Sequence, residues 1–139
     1  MDDEREFLDW FATTWLLAEE ALHDGDAGPR FETWSTNAPV TLYGAWLNAT
    51  NVQQAHEVFR SLERSLSDFV DEQIDLIAHG VSGDLAYTVH REHTRTTVRG
   101  EVSDYVLRTT QVYRREDGTW KVVHRHADPD PSPTEGGSP

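Results

Sequence analysis

A histidine and a carboxylate alternate in Thr88-Val89-His90-Arg91-Glu92-His93, residue types that together can move a proton. On a strand every second side chain shares a face, so Thr88, His90, Glu92 and Thr94 point one way. A carboxylate among apolar groups has its pKa raised by desolvation, which suits Glu92 to general-base or general-acid work. The competing reading is a buried ion pair with Arg108 or Arg125 on a neighbouring strand, which would make Glu92 structural. His56 is the second catalytic candidate, as base or as orienter of Glu92 across a cavity. Its alternative is a plain hydrogen-bonded side chain at a helix margin. His124-Arg125-His126 puts two histidines on one strand face, with Asp128 two residues on. With His90 these could hold a divalent metal, but spacing fixes no third ligand. The expectation is therefore no metal, and a structural polar network of Arg108, His124, Arg125, His126 and Asp128 within the sheet or across a dimer seam.

These residues need elements to position them. Asp2 to His23 reads as one amphipathic helix with Phe7, Phe11, Trp15, Ala18 and Leu22 on its apolar stripe and acidic residues in its first turn. Asp24-Gly25-Asp26-Ala27-Gly28 breaks it, and Pro29 starts a short second helix to Trp34. Pro39 to Tyr43 is a short strand. Asn51 with Gln54 resembles a capping box opening a third helix over Val52 to Ser67, where His56 lies about 80° from the stripe centre. Alternation then takes over. Val70, Ile74, Leu76 and Ala78 share one strand face, Leu85 to Val98 forms a long strand, and Glu116-Asp117-Gly118 turns the closing hairpin. Helices gathered at the start and hairpin strands after them imply an α+β fold with a strongly curved antiparallel sheet packed on three N-terminal helices. A cone-like cavity between the layers is the place for a site.

Composition narrows the function. The chain has 139 residues, one domain's worth, without cysteine, so thiolate metal sites and disulfides are excluded. Twelve basic against 25 acidic side chains give a net charge of −13, which disfavours nucleic acid and anionic membranes as partners. The acidic start Met-Asp-Asp-Glu-Arg-Glu is unlike a signal peptide, and a cytoplasmic location is the default. The expected domain spans 1–128, and the Pro-, Gly- and Ser-rich 129–139 is expected to be a disordered tail.

Three stretches carry a family resemblance: Pro39-Val40-Thr41-Leu42-Tyr43-Gly44, Gly83-Asp84-Leu85-Ala86-Tyr87-Thr88-Val89, and Val112-Tyr113-Arg114-Arg115-Glu116-Asp117-Gly118-Thr119-Trp120-Lys121-Val122-Val123-His124-Arg125-His126. The arrangement over about residues 5–128 resembles the SnoaL-like branch of the nuclear transport factor 2-like superfamily. That superfamily includes ketosteroid isomerase, polyketide cyclases, limonene epoxide hydrolase, scytalone dehydratase and the association domain of calcium/calmodulin-dependent kinase. The resemblance implies a cone with a deep pocket and a homodimer formed through the sheet. Matched to the kinase association domain, the pocket positions become His56, Glu92, Gln111 and Ala127. Arginines that receive a carboxylate there are replaced here by acidic, neutral or small residues, which argues against a small anionic ligand. The tyrosine and protonated acid of ketosteroid isomerase have no clear counterpart.

Trp34, Tyr43, Trp46 and Tyr87 are either ordinary core or a lipophilic wall near the cone mouth, and His90, Thr109 and Gln111 complete the expected ligand-binding set. A Gly-rich phosphate loop, a nucleophile elbow and an HExxH motif are all lacking, so cofactor chemistry and serine hydrolysis are disfavoured and no cofactor is expected. Two functions stay open. One is cofactor-free isomerisation, cyclisation, dehydration or epoxide opening on a small apolar or aromatic ligand, with Glu92 as base, His56 as partner and Tyr43 or Gln111 as oxyanion donor. The other is a non-catalytic binding or association module.

Overall fold

In the computed structural model, which describes residues 2–131, the chain opens with helix α1 (Asp2–Trp10), a π-helical turn (Phe11–Trp15) and helix α2 (Leu16–His23). Backbone angles stay helical through both junctions, so the three form one rod. Phe7, Phe11, Trp15, Glu19 and His23 are all buried, at a spacing of four. In a regular helix four such steps would drift by about 160°. The π turn takes in one extra residue, worth about 100°, and so keeps both ends of the series facing the core.

Gly25, at φ +89°, ends the rod in the left-handed conformation glycine favours. Helix α3 (Gly28–Thr33) follows, with Pro29 in its first turn. Strands β1 (Thr41–Tyr43) and β2 (Asn48–Ala49) form a small hairpin. Helix α4 (Val52–Ser65) is capped by Asn51, whose Oδ1 accepts from the Gln54 backbone at 2.8 Å. It stops two residues before the expected end because Leu66 is already extended.

Strands β3 (Leu66–Ser82), β4 (Leu85–Val98), β5 (Glu101–Glu116) and β6 (Thr119–Pro129) follow as consecutive hairpins. Asp117 (φ 51°) and Gly118 (φ 79°) supply the left-handed pair that the last turn needs. The six-stranded curved sheet runs β2-β1-β6-β5-β4-β3. It is mixed rather than wholly antiparallel, because β1 lies parallel to β6 while every other neighbour is antiparallel. Helices cover one face, and Phe7, Phe11, Trp15, Trp34, Phe59, Tyr113 and Trp120 knit the two layers together.

Alternation holds along β4, where Ala86, Thr88, His90, Glu92, Thr94 and Thr96 are buried beneath the helices. On β3 it breaks twice. Register shifts between Ser67 and Asp71 and between Leu76 and Ala78 turn Val70 and Ala78 outward, while Glu72 joins Ile74 and Leu76 on the inner face. The domain also runs past 128. Pro129 belongs to β6, the Asp130 amide donates to the Val106 carbonyl at 2.9 Å, and Arg91 Nε donates to the Asp130 carboxylate at 3.0 Å. Residues 132–139 of the expected tail lie outside the described residues.

Candidate functional site

Thr88, Gln111 and Arg125 stand side by side on β4, β5 and β6, facing the helices, and a buried polar network grows from them. Arg125 donates to both oxygens of Glu92 at 2.7 Å and to Gln111 Oε1 at 2.9 Å. Gln111 Nε2 donates to the Tyr113 hydroxyl at 2.5 Å, which lies 2.7 Å from Thr88 Oγ1. His90 bridges Thr88 (3.1 Å) and Glu92 (2.8 Å), its ring set edge-on to Phe11 and Trp15. Burial alone would raise the Glu92 pKa, but the Arg125 charge and its hydrogen bonds, with His90, hold the carboxyl well below the usual range. Glu92 is thus an ionised, doubly bonded partner of Arg125.

A second buried pair joins Arg30 of α3 to Glu19 of α2. Among the described residues the buried cluster holds three carboxyls, Glu19, Glu72 and Glu92, against two guanidiniums, Arg30 and Arg125. Glu72 is the one without a cation. Thr94 donates to its Oε2 at 3.0 Å, while Oε1 is buried without a hydrogen-bond partner among the described residues. Burial first, then the charges of Glu92 and Glu19, push its pKa well above the ordinary value and favour the protonated form.

His23, the last residue of α2, sits against this carboxyl with Nδ1 3.7 Å from Glu72 Oε1. The same nitrogen lies 2.7 Å from the Glu19 carbonyl oxygen. A carbonyl only accepts, so Nδ1 bears the hydrogen. Burial lowers the His23 pKa and keeps the ring neutral.

A cavity of about 210 Å³ opens beside these groups, between α2, α4 and the sheet. Leu22, Leu42, Leu62, Leu66, Val98 and Leu107 supply apolar lining, while His23, Arg30, Arg99, Tyr105 and Arg125, with three serines, supply its polar part. Trp46 is 59% exposed yet borders the cavity, its ring edge-on to Tyr105 at 5.7 Å. Tyr105 shares a row with Thr94 and Glu72 across β5, β4 and β3, and burial raises its pKa.

The residues expected from sequence divide between the two faces. His90, Glu92, Thr109, Gln111 and Arg125 are inside, with the Thr109 hydroxyl buried and unpartnered among the described residues. His56 is not brought to Glu92; its ring packs on Phe31 and Phe59, away from the network. Trp34 is core, edge-on to Phe59. Leu42 takes the inward position of β1, so Tyr43 points out and packs on His124 and His126. Tyr87 is also outside, where its ring would stand 2.5 Å from a Cβ placed on Gly80. Arg108 and Asp128 form an exposed pair, and His124 bonds Thr41 at 2.7 Å. Of the expected aromatic wall, Trp46 alone borders the cavity.

Glu19, His23, Glu72, Arg30 and Tyr105 were missed as site residues. Glu72 had a signal, its shared parity with Ile74 and Leu76, and His23 follows directly on the stripe residue Leu22. Glu19, His23 and Glu72 bring possible metal-ligand atoms within 4.8 Å of one another. Each has a competing commitment: Glu19 to Arg30, His23 Nδ1 to a carbonyl, and Glu72 to its proton. A dication here would also sit beside Arg30.

Residues 15–128 match the family model for the SnoaL-like domain. No curated protein matches the chain. Among solved structures, a ketosteroid isomerase-like protein from Erwinia carotovora atroseptica superposes with TM-score 0.74 at 17% identity, over 94% of this chain and 100% of that one. A nuclear transport factor 2-like superfamily protein from Salmonella enterica gives 0.71 at 15%, over 96% of both chains. A nuclear transport factor 2-like protein of unknown function in nutrient uptake from Rhodospirillum rubrum gives 0.66 at 22%, over 87% and 98%. At these identities the likeness establishes the fold alone. None of the helices in the described residues is long and apolar enough to cross a membrane. With the family model spanning α2 through β6, the chain belongs to the SnoaL-like domain family.

Proposed function

We propose that the cavity binds a compact, largely apolar small molecule and catalyses cofactor-free proton transfer on it, in the class of isomerisation, cyclisation, dehydration or epoxide opening. The observation that carries this is the surplus carboxyl. Glu72 keeps a proton in the interior, against His23, which borders the cavity. A neutral acid beside a neutral imidazole is a proton donor and a proton acceptor in one corner, the pairing such chemistry uses. The small volume, below the ~300–1,000 Å³ of drug-sized sites, fits a ligand of one or two rings. Glu92, expected as the base, is assigned here to holding Arg125 in place. The exposed outer face carrying Ile77, Tyr87 and Tyr43 is assigned to a homodimer seam, and a cytoplasmic setting belongs to the same proposal.

The test is a thermal-shift and turnover screen of small hydrophobic ketones, epoxides and aromatic alcohols on wild type and Glu72→Gln. Ligands that stabilise both proteins but are converted only by wild type support the proposal. A second reading, a non-catalytic binding module, is favoured by the full pairing of Glu92 with Arg125. It gains if ligands bind and neither protein converts them. If nothing shifts either protein, the ligand-site reading is wrong.

A further inference from the structure

The rod ends so that His23 has only one way to hold its hydrogen. Nδ1 lies within hydrogen-bond distance of the Glu19 backbone oxygen, an acceptor that substitution at position 19 does not remove. The hydrogen is therefore on Nδ1, and Nε2 is left with its lone pair. Among the described residues nothing hydrogen-bonds to Nε2, and His23 borders the cavity. Tyr105 borders the same cavity, and its hydroxyl has no hydrogen-bond partner among the described residues. The site thus offers an imidazole nitrogen as acceptor and a phenol hydroxyl as donor.

Charge narrows the ligand further. Of the three guanidiniums bordering the cavity, Arg30 and Arg125 are already matched by Glu19 and Glu92, and Arg99 is exposed at the turn between β4 and β5. An anionic ligand would add negative charge to a cluster that already keeps one carboxyl protonated, and would face the Nε2 lone pair. We infer that the site selects neutral hydroxylated ligands, a phenol, enol or alcohol on an apolar body, whose O–H donates to His23 Nε2 while its oxygen accepts from Tyr105. This inference rests on the ligand-site reading above and names the ligand class and the residue that chooses it. When the ligand O–H is activated, its hydrogen passes to Nε2 and the electron pair stays on the ligand oxygen. The imidazolium so formed lies against Glu72.

Three probes test it: 4-ethylphenol, its methyl ether 4-ethylanisole, and 4-ethylbenzoate. The ether keeps the oxygen acceptor and the ring but loses the donor. With wild type the phenol is expected to bind roughly five- to tenfold more tightly than the ether by calorimetry, the worth of one hydrogen bond. The benzoate is expected to bind more weakly than both. In His23→Phe the phenol's advantage disappears while the ether still binds. Should that variant fail to fold, nitrogen-15 spectra of the wild-type histidine rings decide, because Nε2 must be the unprotonated nitrogen of His23. Equal binding of phenol and ether, tighter binding of benzoate, or a hydrogen found on Nε2 would overturn the inference while leaving the cavity a ligand site. If no probe binds, the ligand-site reading and this inference fall together.

Discussion

Replacing Glu72 by Gln removes a proton-uptake site from the interior while keeping its shape. In the unfolded chain a glutamate ionises near pH 4.3. In the folded chain Glu72 faces Glu92 and Glu19, with His23 and Thr94 beside it and Arg125 beyond, and its pKa is raised. Folding therefore takes up a proton, and the stabilising effect of that uptake is full below pH 4.3 and lost as pH rises toward the folded pKa. Over each pH unit between those two values, wild type loses ~1.4 kcal/mol relative to Glu72→Gln. The amide oxygen can still accept from Thr94, so the substitution has little cost of its own. His23 acts in the opposite sense in both proteins: its lowered pKa contributes stability above about pH 6.5 that is lost on acidification, and it largely cancels in the difference. Urea unfolding of both proteins at pH 5, 6, 7 and 8 gives that difference directly. The variant should gain on wild type as pH rises from 5, and the difference should level off once pH passes the folded pKa of Glu72. A difference that stays constant across the series would mean that Glu72 is ionised in the fold, and the surplus-carboxyl reasoning would fail.

Glu92→Gln leaves the buried Arg125 guanidinium without its counter-charge and should cost about 3–5 kcal/mol in urea unfolding; the double change Glu92→Leu with Arg125→Met should recover most of it. A Glu92→Gln cost under about 1 kcal/mol would refute a dry ion pair. Asn51→Ala should destabilise by about 1 kcal/mol through loss of the α4 cap, with Asn51→Asp close to wild type by the same measurement. At Gly25 an added Cβ would meet the Leu66 carbonyl oxygen at 2.9 Å with φ at +89°, whereas at Gly118 it would meet nothing within 4 Å. Gly25→Ala should therefore lower the melting temperature clearly more than Gly118→Ala, and the reverse order would contradict the packing at the end of α2.

Local chemistry made much of the fold legible. Asp117-Gly118 announced the closing hairpin, Asn51 and Gln54 the start of α4, and the strict parity of Thr88 to Thr94 the inner face of β4. Non-local choices were hidden. Nothing near Thr41 says that β1 will lie parallel to β6, because that pairing depends on where the rest of the sheet ends. In a strand of three residues parity is ambiguous, and the inward place went to Leu42 rather than Tyr43. The site suffered most on β3, where two register shifts reversed the faces of Val70 and Ala78 and the alternation read from sequence passed over Glu72. Which buried carboxyl would lack a cation could be known only once Arg125 and Arg30 had found theirs.

The π turn at Phe11–Trp15 sets how the first helix tolerates changes in length. Upstream of it lie Phe7 and the contacts of α1; downstream lie Glu19, Leu22 and His23, which face the cluster and the cavity. Deleting any one residue within the turn would restore ordinary helical winding, and because the lost residue and the lost π turn each account for about 100°, the downstream face would keep its aim. An insertion there, with no second π turn to absorb it, would swing the downstream face by about 100° and carry Glu19 and His23 out of the interior even though neither had been altered. Substitutions at the exposed Ala12, Thr13 and Thr14, and the loss of any one of the three, should be borne more easily than an insertion there. In a library of random variants the rod would accept changes of spelling and the loss of one residue here, and reject a gain.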